Sequence, residues 1–355
     1  MRNNIYYWKC DNSLSVEEKL VYNDKYHLAD ITDLVRQIVI NQFKKVPSFI
    51  EAVGNSGNHY AYRIHYPDQV IFFRSDDGKI DDDYMDAEAA ALKLVRAAGV
   101  PVPEVIITDT SMKMFPVRYQ ILENIAGENL SGLYQSGSLD RTATATQLGR
   151  FLGQMHQVNV DGFGFINTDQ LRKSQHIVGL CSTNTEYFHT RLDEHLKFLQ
   201  DTKFLRSDEI KLIQDMIHKH EDHLQLAKGS LVHKDIAYWN LVGTADQINA
   251  IVDWDDVISG DPIDDLAVVR CFYQDDVFLP MLSGYGEVRE LPDDFEVKLA
   301  LYLVRNMIWK TVFRTNMKYF DFKEKEDLLN REDGKPLRQF TYERLYQGLD
   351  ALKKL

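Results

Sequence analysis

The chain has 355 residues, 44% of them hydrophobic and 27% charged, with a formal net charge of −13. This is an ordinary globular composition, long enough for two lobes. Its acidity argues against nucleic acid, because binders of nucleic acid need a basic face to release counterions. Three widely spaced cysteines (Cys10, Cys181, Cys271) give no disulfide framework, and no apolar run approaches a membrane span. The polar start Met1-Arg2-Asn3-Asn4-Ile5 lacks an apolar signal core, so a cytoplasmic location is expected.

Residues 1–28 are polar and aromatic and read as an extension packed on a first lobe. Leu34, Val35, Ile38 and Val39 recur at helical spacing, which predicts a helix over 31–43. Phe49 to Val53 reads as a strand, followed by the loop Gly54-Asn55-Ser56-Gly57-Asn58, whose backbone N–H groups could lie over phosphates. His59 to Ile64 and Gln69 to Arg74 read as two further strands around a Pro67-Asp68 turn. A helix is expected over 86–98, with Ala87, Ala90, Ala91, Leu94 and Ala98 on one face, Glu88 near its start and Gly99 as its stop. Tyr119 to Leu122 forms the next strand, and from about Ala126 the chain turns mainly helical. Leu148, Phe151, Leu152 and Met155 mark one helix; Leu212, Ile213, Met216, Ile217 and Leu224 mark another, stopped by Gly229. Between them, Asp161-Gly162-Phe163-Gly164-Phe165 reads as a loop. His218, His220 and His223 lack H-E-x-x-H spacing and read as a solvated helix face rather than a zinc site. There is no G-x-S-x-G elbow, so hydrolase chemistry has no support.

The most informative stretch is His233-Lys234-Asp235-Ile236-Ala237-Tyr238-Trp239-Asn240, which reads H-x-D-x(4)-N, with Asp253 thirteen residues further on. Leu231-Val232 and Leu241-Val242 look like strands bracketing the loop, and Ile248 to Val252 is a third apolar run that delivers Asp253 to its end. Phosphoryl transfer from a nucleotide needs a carboxylate to accept a hydroxyl proton and oxygen ligands to hold the metal on the phosphates. Asp235, Asn240 and Asp253 offer one such base and two ligands of the kind Mg²⁺ prefers.

The run LVHKDIAYWNLV, continued by INAIVDWDDVISGDPIDDLA, resembles the catalytic core of the aminoglycoside phosphotransferase family, in particular its hygromycin-kinase-like members. The resemblance implies an α+β, bilobal protein-kinase-like fold. Residues 1–125 would form an antiparallel-sheet N-lobe with one αC-type helix, and residues 126–355 a larger, mainly helical C-lobe. It further implies that Asp235 is the catalytic base and that Asn240 and Asp253 hold Mg²⁺. Arg74 would grip the donor phosphates and pair with Glu88, while Gly54, Ser56 and Gly57 cover them. Backbone groups of Glu123, Asn124 and Ile125 would hold the purine of ATP or GTP. His233 is expected to brace the loop. Where family members usually carry glycine, this chain has Lys234.

The acceptor implied is a small-molecule hydroxyl, an aminoglycoside or other amino-sugar alcohol, with antibiotic resistance as the corresponding role. Asp255, Asp256, Asp261, Asp264, Asp265, Asp275 and Asp276 would suit such a cationic acceptor, although Asp261 and Asp265 also fit a helix start. Trp309, Asn316 and Tyr319 are the pocket candidates. The alternatives are a kinase of a metabolic alcohol (choline, homoserine, methylthioribose or sugar-amine type) and a catalytically inactive kinase-fold binding module.

Overall fold

The computed structural model describes residues 2, 4–11, 30–53, 59–76, 83–321 and 335–355. A short helix α1 (Trp8–Asp11) and helix α2 (Thr32–Phe43) precede the strands β1 (Phe49–Ala52), β2 (Tyr60–His65) and β3 (Val70–Ser75). Helix α3 (Tyr84–Ala97), β4 (Val105–Asp109) and β5 (Tyr119–Glu123) complete a five-stranded sheet of order β1-β2-β3-β5-β4. Every pairing in it is antiparallel. Ile64, Ile71, Phe73, Tyr119 and Ile121 pack with Val35, Ile38 and Val39 of α2, which gives this sheet its own core. Helix α3 instead buries Ala87, Ala91, Leu92 and Val95 in the core of the larger C-terminal part.

The C-terminal part begins with β6 (Glu128–Asn129), α4 (Leu130–Gln135), α5 (Arg141–Met155), β7 (Asn159–Val160) and β8 (Phe163–Ile166). It continues through α6 (Thr168–Ser174), β9 (Gly179–Cys181), α7 (Asn184–His189), α8 (Leu192–Asp201), α9 (Ser207–Lys219) and β10 (Gly229–Val232). After β11 (Leu241–Gly243), β12 (Ile248–Ile251) and β13 (Ile258–Gly260) come four helices: α10 (Ile263–Phe272), α11 (Asp275–Gly286), α12 (Phe295–Asn316) and α13 (Leu337–Lys354). Two small sheets, β7-β10-β13-β8-β9 and β12-β11-β6, sit within this helical part. Strand β10 pairs with β13, and β11 with β12, so the ends of these strands deliver the 233–240 loop and Asp253 to one place.

The expected loop at 161–165 is corrected. Phe163–Ile166 is a buried strand paired with β13. Gly162 and Gly164 take left-handed backbone (φ 65° and 77°), and a Cβ on Gly164 would strike the Tyr187 ring, so these glycines serve close packing within a sheet. The helix expected to run to Gly229 ends at Lys219, a 3₁₀ turn covers Glu221–Leu224, and Gly229 opens β10. His218 is solvated as expected. His220 is buried, with Nε2 3.1 Å from the Leu352 carbonyl of α13, and His223 Nδ1 lies 3.1 Å from Asp294. Of the N-terminal stretch expected on the first lobe, residues 12–28 lie outside the described residues, and Arg2 lies over the Tyr84 ring of α3 at 5.5 Å. Tyr7 stacks on Trp309 of α12 at 3.6 Å and Tyr6 on Tyr187 of α7 at 5.0 Å.

Candidate active site

The 233–240 loop is fixed from below by a buried carboxylate. Asp265, in the first turn of α10, accepts from the backbone N–H groups of His233 and Lys234, each at 2.8 Å. It also meets His156 Nε2 at 3.1 Å, and His156 Nδ1 lies 3.1 Å from the Tyr285 hydroxyl. Burial works to raise the Asp265 pKa, but the His156 hydrogen bond and charge and the His233 backbone donor bring it below its ordinary value. Burial lowers the His156 pKa, against the upward pull of the Asp265 hydrogen bond and charge. His233 braces the loop as expected: Nε2 lies 3.1 Å from the Val252 carbonyl, the Asp235 N–H donates to Nδ1 at 3.3 Å, and the ring packs 4.6 Å from Trp254. One tautomer, protonated on Nε2, satisfies both contacts.

The candidate residues converge through these neighbours. Asn240 donates from Nδ2 to the Asp235 carbonyl at 2.8 Å and lies 3.3 Å from Asp235 Oδ2. The Val252 N–H donates to the Asn240 carbonyl at 2.9 Å, which ties the loop to the residue before Asp253. Asp253 adopts φ 65°, a left-handed conformation that aspartate tolerates better than most residues. Its Oδ1 lies 3.8 Å from an Arg74 guanidinium nitrogen. Arg74 is ion-paired with Glu88 and donates from Nε to Gln120 at 2.8 Å, while Glu88 accepts from the Trp254 N–H at 3.1 Å. Asp235, Asn240, Asp253, Arg74 and Glu88 are thus joined in one network.

Gly54, Ser56 and Gly57 lie outside the described residues. Glu123, Asn124 and Ile125 line a cleft of about 710 Å³ with Gly99 to Val102 and Gln247 to Asn249. The Glu123 side chain accepts from Arg96 and from the Glu104 N–H, both at 3.1 Å, and the Glu123 N–H donates to the Glu104 carbonyl at 2.9 Å.

Lys234 has φ 74°, a conformation that favours glycine, which explains why glycine is usual there. Its side chain turns into the protein, pairs with Asp264, donates to the Tyr6 hydroxyl at 3.0 Å and lies 3.4 Å from Asn306 Oδ1.

A family model described as the phosphotransferase enzyme family matches residues 50–294. The chain belongs to this family. It is an enzyme, a small-molecule phosphotransferase with the mixed α+β fold of the aminoglycoside kinases. Aminoglycoside phosphotransferase APH(4)-Ia, solved with AMP-PNP and hygromycin B, is 14% identical with a TM-score of 0.62, covering 89% of this chain and 98% of its own. A provisionally assigned aminoglycoside phosphotransferase from Ralstonia eutropha JMP134 is 15% identical with a TM-score of 0.63, covering 91% and 98%. A provisionally assigned fructosamine-3-kinase from Haemophilus somnus 129PT is 15% identical with a TM-score of 0.59, covering 89% and 96%. No curated protein matches the chain. Among the described residues no helix of the phosphotransferase is long and apolar enough to cross a membrane.

Two site neighbours, His59 and Arg2, carry no signal in the sequence. His59 and Asp255 bring ligand atoms within 4.8 Å of one another and of Asp253. Arg2 donates to the Asp255 carbonyl and lies 3.7 Å from Asp256 Oδ1. The acidic residues expected to face a cationic acceptor are largely engaged by the chain itself. Asp264 pairs with Lys234, Asp275 with Arg270 at 2.7 Å and Asp276 with Arg141 at 2.8 Å. Asp261 accepts from the Ile263 N–H at 3.0 Å, capping α10 as expected. Of the pocket candidates, Trp309 is buried under Tyr7, while Asn316 and Tyr319 are half-buried.

Proposed function

We propose that this phosphotransferase moves the γ-phosphoryl group of ATP or GTP to a hydroxyl of a small molecule, held between an N-lobe of residues 1–125 and a C-lobe of residues 126–355. The observation that carries the reading is the convergence of Asp235, Asn240 and the Asp253 turn, with the Arg74–Glu88 pair beside them. Asp235 orients the acceptor hydroxyl and takes its proton as the oxygen attacks the γ-phosphorus. The bond to the bridging oxygen breaks and the nucleoside diphosphate leaves. Arg74, held in place by Glu88 and Gln120, faces the donor phosphates. Backbone groups of Glu123 to Ile125 hold the purine.

The donor set suits Mg²⁺. Asn240 commits its Nδ2 to Asp235, which leaves Oδ1 as a hard oxygen ligand beside the Asp253 carboxylate. When bound, Mg²⁺ offsets the charge on the donor phosphates.

An aminoglycoside hydroxyl is the first acceptor class to test, since one similar structure holds hygromycin B; phosphorylation of such a drug in the cytoplasm would confer resistance. A metabolic alcohol is the second reading. It is favoured by the engagement of Asp264, Asp275 and Asp276 with the chain's own cations. The test is nucleotide consumption against a panel of aminoglycosides, amino alcohols and hydroxy acids. Turnover on at least one acceptor that disappears in Asp235→Ala is expected. Nucleotide binding with no turnover on any acceptor would instead indicate a binding module.

A further inference from the structure

Among the described residues, one buried cation beside this site closes no ion pair. Lys310, on α12, is 3% exposed. Its Nζ lies over the Trp309 ring at 4.0 Å and over the Phe272 ring at 4.3 Å. Among the described residues it has no ion pair and no hydrogen-bond acceptor. Phe272 packs edge-on at 4.7 Å against Trp239, the residue before Asn240 in the candidate catalytic loop. Lys310 therefore stands one aromatic ring behind that loop. Burial pushes its amine down to about 8, against the upward pull of Cys271 and Asp235, while Arg314 and Lys234 add positive charge. Arg314 and Arg344, also buried, act on Cys271 with the same sign as Lys310.

Two aromatic faces offset only part of what taking an ammonium out of water costs. Asp235 pulls on this ammonium without closing an ion pair among the described residues, which leaves Nζ open to an anion brought by a ligand. We propose that Lys310 anchors an anionic group of the acceptor, a carboxylate or a phosphate, so that the enzyme's substrate is an acid-bearing alcohol. This rests on the phosphotransferase reading, because Asp235 fixes where the reacting hydroxyl sits relative to the anion. It also separates the acceptor from the polycationic aminoglycosides, which would meet Lys310, Arg314 and Arg344 with like charge.

The test is calorimetric titration of the full-length protein, with AMP-PNP and Mg²⁺ present, using D-glycerate, inorganic phosphate and the neutral glyceramide as probes. The wild type is expected to bind glycerate or phosphate at least about tenfold more tightly than glyceramide, a factor typical of one buried charge-assisted contact. Lys310→Met should remove that preference, Lys310→Arg should retain most of it, and neither should change nucleotide affinity. Equal affinity for acid and amide in the wild type overturns the proposal, and needs no folded variant. So does an unchanged preference in Lys310→Met. A drop in AMP-PNP affinity in Lys310→Met would assign the cation to the donor's phosphoryl group and also overturn it. The two readings fail separately. Turnover of neutral or cationic acceptors that ignores Lys310→Met, with no anion preference, removes the anion site alone. Anion preference with no phosphorylation of any acceptor removes the kinase reading alone.

Discussion

At the scale of single residues, Lys234 shows how a departure from a family pattern is accommodated. A left-handed backbone at a non-glycine residue costs about 1–2 kcal/mol, and the position has φ 74°. The side chain offsets this by satisfying Asp264, buried at 1% exposure, and the Tyr6 hydroxyl. Removing one partner of a buried pair costs about 3–5 kcal/mol. Lys234→Met should therefore lower stability by about that amount in urea denaturation. Lys234→Gly should also be less stable than wild type, since the backbone relief is smaller than the loss of the pair; a stabilised Lys234→Gly would contradict this. The sequence displayed Asp235, Asn240 and Asp253 because their chemistry lies in short local spacing. Lys310 and His59 were invisible there, since each acquires meaning from tertiary neighbours such as Phe272 and Asp255.

Among the elements, α2, α3, α5 and four strands of the first sheet were legible from the sequence, β4 was not read, and β8 was missed because Gly162 and Gly164 imitate a turn. The same ambiguity hid the crossing of α5 and α11. A Cβ on Gly149 would collide with the Met281 carbonyl oxygen, and one on Gly284 with that of Thr146. Backbone contact there leaves no room for a methyl group, so Gly149→Ala should cost about 1–3 kcal/mol, read as a shift in the urea midpoint. The docking of α1 was equally unreadable, since it depends on a carboxylate meeting a distant histidine. Asp11 accepts from the backbone N–H groups of Tyr6 and Tyr7 at 2.7 and 3.0 Å and meets His195 Nε2 at 2.5 Å. Burial opposes its ionisation, but His195 and these two donors bring its pKa down to about 2. A depressed carboxyl value means the contribution is complete above the ordinary 3.8 and is lost as pH falls toward about 2. Asp11→Ala should cost about 1–3 kcal/mol and speed amide exchange at Tyr6 and Tyr7 at neutral pH. Unchanged exchange would show that the tyrosine stacking alone holds the segment.

For the whole molecule, stability near neutral pH should carry the mark of Asp261. Burial raises its pKa from 3.8 to about 6, with Lys298 working against the rise from 3.7 Å away. A carboxyl raised in the folded state adds stability that is full below 3.8 and is lost as pH rises through about 6. From pH 7 to pH 5 the wild type should thus gain stability relative to Asp261→Asn, by about 1–2 kcal/mol, in paired urea titrations. Parallel curves would place the Asp261 proton elsewhere. The α+β architecture was implied by the resemblance of the stretch around Asp235 and Asp253 to the phosphotransferase family, while the two small sheets inside the helical part were less legible, being built from strands of two to four residues.

The most direct measurement is calorimetric binding of Mg²⁺–nucleotide to Asp253→Ala and Asp235→Ala, with turnover recorded on the same preparations. Asp253→Ala should lose at least about tenfold in Mg²⁺-dependent affinity. Asp235→Ala should bind like wild type while its turnover falls by about 10²–10⁴. Equal affinities in the two variants, or wild-type turnover without the Asp235 carboxylate, would contradict the division between one base and two metal ligands.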